Sequence, residues 1–168
     1  MDNADACETA IVRRLVEFPF LPSSFAVINA ALDMIEVKPN EVFADLGCGD
    51  GIVLIEAARR FNVFCVGFEL NPMLVKLALE NVKRSGVGHL VDIVQTDLFT
   101  ADLSKFNVIY VYPFPTIIRR LSEKIVDECP EGTRIIVHDY CLAGLRATKH
   151  VQTAKRGLHA HSVRLYVL

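Results

Sequence analysis

The stretch Val42-Phe43-Ala44-Asp45-Leu46-Gly47-Cys48-Gly49-Asp50-Gly51 decides how the rest of the chain is read. Val42, Phe43 and Ala44 form an apolar, β-prone run, Asp45 follows, and glycines then alternate at 47, 49 and 51. Ile52-Val-Leu-Ile-Glu-Ala-Ala-Arg-Arg60 continues with helical spacing. The pattern predicts a strand, a glycine turn and the start of a helix. Glycine suits such a turn because it accepts positive φ and lets a ligand lie against backbone that carries no Cβ. The helix start offers N–H groups and a partial positive charge to an anionic part of that ligand.

Working outward, the segments on either side repeat the same alternation. Ile11, Val12, Leu15 and Val16 predict a helix over residues 5–17, which Phe18-Pro-Phe-Leu-Pro22 stops because each proline extends the residue before it. Ser23 or Ser24 can cap a second helix through Phe25, Val27, Ile28, Ala31, Leu32 and Ile35. Beyond the glycine loop, residues 62–69 form a short strand apolar on both faces, as a central parallel strand is. Pro72 opens a helix to Arg84. A third strand over 91–96 leads into Asp97-Leu98. A fourth over 106–112 is broken by Pro113-Phe114-Pro115 before a helix through Ile117, Ile118, Leu121 and Ile125. Residues 132–140 give a fifth strand, and the tail, 151–157 and 162–168, reads as two strands with no helix between them. The expected architecture is α/β: a doubly wound, Rossmann-like, seven-stranded sheet closed by an antiparallel C-terminal hairpin. Residues 1–168 form one domain, with an N-terminal helical arm and lid over 1–37 and the core over 38–168.

Bulk properties narrow the function. A chain of 168 residues can close one core but leaves no room for a separate substrate-recognition domain. With 52% hydrophobic and 23% charged residues it is not a disordered sequence. The net charge of −2 argues against a protein that grips nucleic acid, which leaves a basic footprint. Five cysteines, with no C-x-x-C and no metal-ligand spacing, read as reduced packing thiols, so no metal is expected. The acidic amino terminus is not a signal peptide, and the apolar tracts are interrupted before the roughly 18–20 residues that a membrane helix needs. A cytoplasmic protein without a membrane span is expected.

In a doubly wound sheet, ligands bind at the carboxyl ends of the strands, where the strand order reverses. Asp45, Glu69 and Asp97 fall at three predicted strand ends. Glu69 lies 24 residues beyond Asp45, close to the spacing of about 20 at which an acid grips ribose hydroxyls. Several carboxylates at one site attract a cationic ligand and disfavour phosphate. A dinucleotide loop, G-x-G-x-x-G, would place its third glycine at position 52, which is Ile52.

The D-x-G-x-G-x-G register, with Glu69 and Asp97 after it, resembles class I S-adenosylmethionine-dependent methyltransferases over most of the chain. The resemblance implies S-adenosyl-L-methionine as cofactor and places Asp45, Gly47, Gly49 and Gly51 at its amino-acid end. The cofactor's carboxylate would meet the helix start at Gly51 and Ile52. It implies that Glu69 holds the ribose and that Asp97, with Leu98 beside it, holds the adenine. Pro19-Phe-Leu-Pro-Ser23, Gly67-Phe-Glu-Leu-Asn71, Gly132-Thr-Arg-Ile-Ile-Val-His-Asp-Tyr140 and Ser162-Val-Arg-Leu-Tyr166 are similar to archaeal broad-specificity protein lysine methyltransferases. The lysine methyltransferases of the ATP synthase c-subunit share that pattern. The likeness implies a protein substrate with an accessible lysine, and a P-[YF]-x-P-[TS] segment folding Phe20, Pro22 and Ser23 over the cofactor. The chain departs from the pattern after the fourth strand, where Pro113-Phe114 stands in place of an apolar pair.

Methyl transfer from a sulfonium asks mainly for positioning, and a lysine acceptor, of ordinary pKa about 10.4, must arrive neutral. Tyr110 and Tyr112, of which only one is expected to face the site, and His138, Asp139 and Tyr140 are the groups available to help. Methylation of RNA or of a small metabolite is the alternative within the class. Tyr112-Pro-Phe-Pro115 does not form the nucleobase-amine signature [DN]-P-P-[YF]. A nucleotide-binding module without chemistry is the alternative outside it.

Overall fold

The computed structural model describes residues 20–153 and 160–168. The helix expected over 5–17, the start of the expected arm and lid up to residue 19, and the turn of the terminal hairpin lie outside the described residues.

The first described helix, α1, spans Phe25–Leu32 and is capped by Ser24, whose hydroxyl accepts from the Val27 N–H. It ends three residues before Ile35, because Asp33 closes its last turn. Then come β1 (Val42–Leu46), α2 (Ile52–Phe61), β2 (Phe64–Glu69), α3 (Pro72–Ser85) and β3 (Val91–Gln95). After two short 3-10 turns follow β4 (Val108–Val111), α4 (Ile118–Glu128), β5 (Arg134–His138), β6 (Lys149–Gln152) and β7 (Ser162–Val167). Asn71 caps α3 through its side chain and Pro72 takes the first helical position, where its missing N–H costs nothing.

Among the described residues, seven strands join one sheet in the order β3-β2-β1-β4-β5-β7-β6. β1 to β5 are parallel, while β7 runs antiparallel between β5 and β6. The order reverses between β1 and β4, so the carboxyl ends of those two strands flank the crevice where such sheets bind ligands. The tail forms the expected antiparallel pair, with its first strand starting at Lys149, two residues before the predicted position.

Alternate side chains go to opposite faces. Phe43, Cys65, Tyr110, Ile136 and Val163 pack beneath α1 and α2, whereas Ala44, Leu46, Ile109, Val111, Ile135, Val137 and Tyr166 pack on the other face with Leu121 and Ile125 of α4. Burial on both faces explains why the central strands read as continuous apolar runs. The packing also fixes where polar side chains can go: Tyr110 and His138, in register with this alternation, share the α1 face.

Candidate active site

The glycine loop is built as a tight backbone device. Gly47, Gly49 and Gly51 all have positive φ, at 88°, 53° and 77°, which any side chain with a Cβ adopts only under strain. The Gly47 and Cys48 N–H groups both donate to the Phe68 carbonyl, at 2.8 and 3.0 Å. Gly49 N–H donates to Glu69 Oε2 at 2.9 Å, Gly51 N–H to the Cys48 carbonyl at 2.9 Å, and Ile52 N–H to Asp50 Oδ1 at 3.3 Å. These N–H groups already have partners, so the loop is not a nest for phosphate. The expected approach of a carboxylate to the Gly51 and Ile52 amides meets donors that are already engaged. A Cβ on Gly49 would fall 2.3 Å from the Phe20 ring, which therefore lies directly on the loop. A Cβ on Gly47 would meet no atom within 4 Å, so this residue leaves open the space a ligand can use.

Three acids surround that space. Asp45 is buried, and desolvation, reinforced by Glu69 and Asp50, pushes its carboxyl well above the usual carboxylate range. Glu69 ends β2 and bridges two turns, accepting from Gly49 N–H and, through Oε1, from Asn71 N–H at 2.8 Å. Each of its oxygens keeps a lone pair beyond these bonds. Asp97 caps the first 3-10 turn by accepting from Phe99 N–H at 3.1 Å. These acids, with Gly47 and Leu98, line one cavity of about 380 Å³, within the roughly 300–1,000 Å³ of small-molecule sites. Phe99, capped by the Arg120 guanidinium 3.8 Å from its ring centre, closes the same end. An acid-lined, largely apolar cleft against Cβ-free backbone fits a cationic nucleoside such as S-adenosylmethionine, and does not fit a pyrophosphate.

At the opposite end, the ends of β4 and β5 assemble a hydrogen-bonded cluster. Tyr110 is buried, with its hydroxyl 3.0 Å from Ser23 Oγ and 3.2 Å from His138 Nδ1. Ser23 Oγ is itself 3.3 Å from His138 Nδ1. The Tyr112 ring stacks on the His138 ring at 3.8 Å, and its hydroxyl donates to Asp139 Oδ2 at 3.0 Å. Tyr110 and Tyr112 both line the cavity, contrary to the expectation that only one would. The reason is geometric, since residues two apart along a strand project to the same face. Burial lowers the pKa of His138 to about 4, so the ring is neutral. Burial opposes ionisation of Asp139, but the Ser162 N–H, His161 and Tyr112 together hold its carboxyl below its ordinary value. Desolvation and Asp139 push the Tyr112 phenol up, so it remains a hydroxyl.

Of the remaining predicted residues, Phe20 and Ser23 reach the cavity wall, while Pro22 is exposed and outside it. Gly49, Gly51, His138 and Asp139 stand one layer behind the wall, shaping it without lining it. Sequence reading missed His161, which meets Asp139 at 2.8 Å. Only the antiparallel register, which sets His138 opposite Val163, brings the two together. It also missed Arg120, whose guanidinium lies over the Phe99 ring at the cavity wall.

The model of the ANTKMT methyltransferase domain family matches residues 45–149. The chain belongs to that family. A protein-lysine N-methyltransferase of Saccharolobus islandicus is 32% identical over 89% of this chain and 93% of its own length. The ATP synthase c-subunit lysine N-methyltransferase of Xenopus laevis is 28% identical over 70% of this chain, which spans about half (51%) of that relative. Among solved structures, an RNA methyltransferase from Salinibacter ruber in complex with S-adenosyl-L-homocysteine superposes with a TM-score of 0.79 at 31% identity, covering 88% of this chain and 93% of that one. This family member is therefore an S-adenosylmethionine-dependent methyltransferase with a Rossmann-like sheet. Among the described residues, no helix is long and apolar enough to cross a membrane.

Proposed function

We propose that this methyltransferase transfers its methyl group to the side-chain amine of an accessible lysine in a protein, and that it does so in the cytoplasm as a single domain, with the arm segment that carries Phe20 and Ser23 lying over the cofactor. The observation that carries the reading is the Tyr112–Asp139 hydrogen bond at the cavity wall, 3.0 Å long and stacked on a neutral His138. The likeness to the Saccharolobus protein-lysine enzyme, which spans nearly all of both chains, supports it.

The cofactor, when bound, supplies an electrophilic methyl on a positively charged sulfur. Asp45, Glu69 and Asp97 would hold it, with Gly47 leaving room and Phe20 and Leu98 covering its apolar parts. The rest falls to the far end of the cavity. Because the Tyr112 hydroxyl spends its proton on Asp139, its oxygen lone pairs are left to accept from an incoming amine N–H and to aim the amine's own lone pair inward. Positive charge moves from sulfur to nitrogen during the transfer, and the ionised Asp139 behind Tyr112 favours its arrival. A neutral His138 adds no opposing charge. Tyr110 and Ser23 fasten the arm to the end of β4 by their mutual hydrogen bond.

The test is incubation of isotopically labelled S-adenosylmethionine with a cell lysate and the purified enzyme, followed by mass spectrometry of proteins and RNA. Label on lysine side chains is expected. The Salinibacter neighbour, named an RNA methyltransferase, favours RNA as the second reading. Label confined to RNA would replace the lysine reading with that one.

A further inference from the structure

Behind the wall of the cavity, on the side of His138 that faces away from it, three donor atoms converge. His138 Nε2 lies 3.2 Å from His161 Nδ1 and 3.5 Å from Asp139 Oδ2, and the last two are 2.8 Å apart. A hydrogen bond between His161 Nδ1 and a carboxylate requires the proton to sit on that nitrogen. His138 Nε2 then faces the same proton with a lone pair, and the His138 proton sits on Nδ1, toward Tyr110 and Ser23. Two acceptor atoms therefore share one proton from a third, in a space where three lone pairs would converge if that proton left.

We propose that His138 Nε2, Asp139 Oδ2 and His161 Nδ1 bind a divalent first-row transition cation of the zinc type, which replaces the shared proton. Ligand bonds of about 2.0–2.1 Å at angles between octahedral and tetrahedral set donor atoms roughly 2.9–3.4 Å apart, and the three observed separations straddle that range. Two imidazoles and one carboxylate suit zinc, cobalt or nickel and not magnesium, which prefers oxygen ligands. The supporting contacts are also those of a metal face. His138 donates its other ring N–H to the Tyr110 and Ser23 hydroxyls, Asp139 Oδ1 accepts from Ser162 N–H at 2.9 Å, and Asp139 Oδ2 receives Tyr112. Arg164 donates to the Asp139 carbonyl at 3.1 Å, and Asp139 holds a φ of 62°, so its carboxylate is aimed by a fixed backbone. His138 is buried, whereas His161 is half-exposed and gives the cation a route from solvent. Solvent would complete the coordination.

The inference concerns binding alone and does not rest on the lysine reading. The protein is freed of metal with a chelator and titrated with cobalt(II), which reports its geometry in the visible spectrum, and then with zinc(II) as competitor. One cobalt per chain is expected, displaced by zinc, with affinity reduced at least about tenfold in both His161→Ala and Asp139→Asn. Cys141→Ser, which alters the exposed thiol next along the chain, should leave the affinity unchanged. Circular dichroism checks that each variant is folded, and because His161 is half-exposed its removal leaves the core intact. No saturable binding, binding that survives both ligand substitutions, or binding lost with Cys141→Ser would each overturn the proposal.

Discussion

The two ends of the cavity are built from different materials. At the β1–β2 end, the proposed cofactor end, the shape comes from backbone: three glycines at positive φ and N–H groups engaged by the Phe68 carbonyl, by Glu69 or within the loop itself. At the β4–β5 end the shape comes from side chains, with Ser23, Tyr110, Tyr112, His138, Asp139 and His161 tied by hydrogen bonds of 2.8–3.3 Å. A backbone device tolerates few changes of residue type. A side-chain network can be rewired one residue at a time, which suits the end proposed to meet the acceptor.

If this division is right, substitutions at the two ends should separate in kind. The largest effect is expected of Glu69→Ala, which removes a carboxylate that both braces Gly49 and Asn71 and faces the cavity. At about 1.5–3 kcal/mol for charge-assisted hydrogen bonds, affinity for S-adenosylhomocysteine should fall about 10- to 150-fold by calorimetry. Unchanged affinity would remove Glu69 from the site. Tyr112→Phe should do the reverse, lowering kcat about tenfold while leaving cofactor affinity within about twofold. A loss of cofactor binding there would erase the distinction between the ends.

Gly51→Ala probes the backbone device itself. Its φ of 77° and the Ala78 methyl 3.2 Å from the new Cβ should cost about 1–2 kcal/mol, read by urea denaturation. The smallest effect is a proton count. Because the folded pKa of Asp45 is raised, the folded protein holds a proton that the unfolded chain, of carboxyl pKa about 3.9, has lost. This group's contribution to stability is therefore full below that unfolded value and fades as pH rises through the folded one. A cationic cofactor favours the ionised form, so binding S-adenosylmethionine in that window should release up to about one proton. Calorimetry in buffers of different ionisation enthalpy measures it, and Asp45→Asn should abolish it.

The cofactor end was legible in the sequence because its chemistry is local. The alternating glycines, the acid before them and Glu69 at the end of the next strand lie on one continuous βαβ run, and periodicity places each element. The acceptor end was only partly legible. Tyr112, His138 and Asp139 could be named because they close predicted strands, but the contact between Tyr112 and Asp139 depends on how β4 and β5 pair. Ser23 could be named only as a cover for cofactor, since its bond to Tyr110 spans 87 residues. His161 follows no spacing rule, and it joins the cluster only through strand order, which single-sequence patterns do not carry. The engaged amides of Gly51 and Ile52 were illegible for a related reason: a glycine turn looks the same on paper whether its N–H groups face a ligand or its own loop.

β7 runs against its neighbours, so it begins where the parallel strands end. Its first residues, Ser162 and the preceding His161, therefore arrive at the proposed acceptor end, and its last residues pair with the start of β5 at the other end of the strands. A single reversed strand thus brings His161 and Ser162 to the Tyr112–Asp139 pair, while the glycine loop is built without them. On the proposed lysine reading, changes at His161 and Ser162 would alter the acceptor end while leaving the glycine loop after β1, three strands away, as it is.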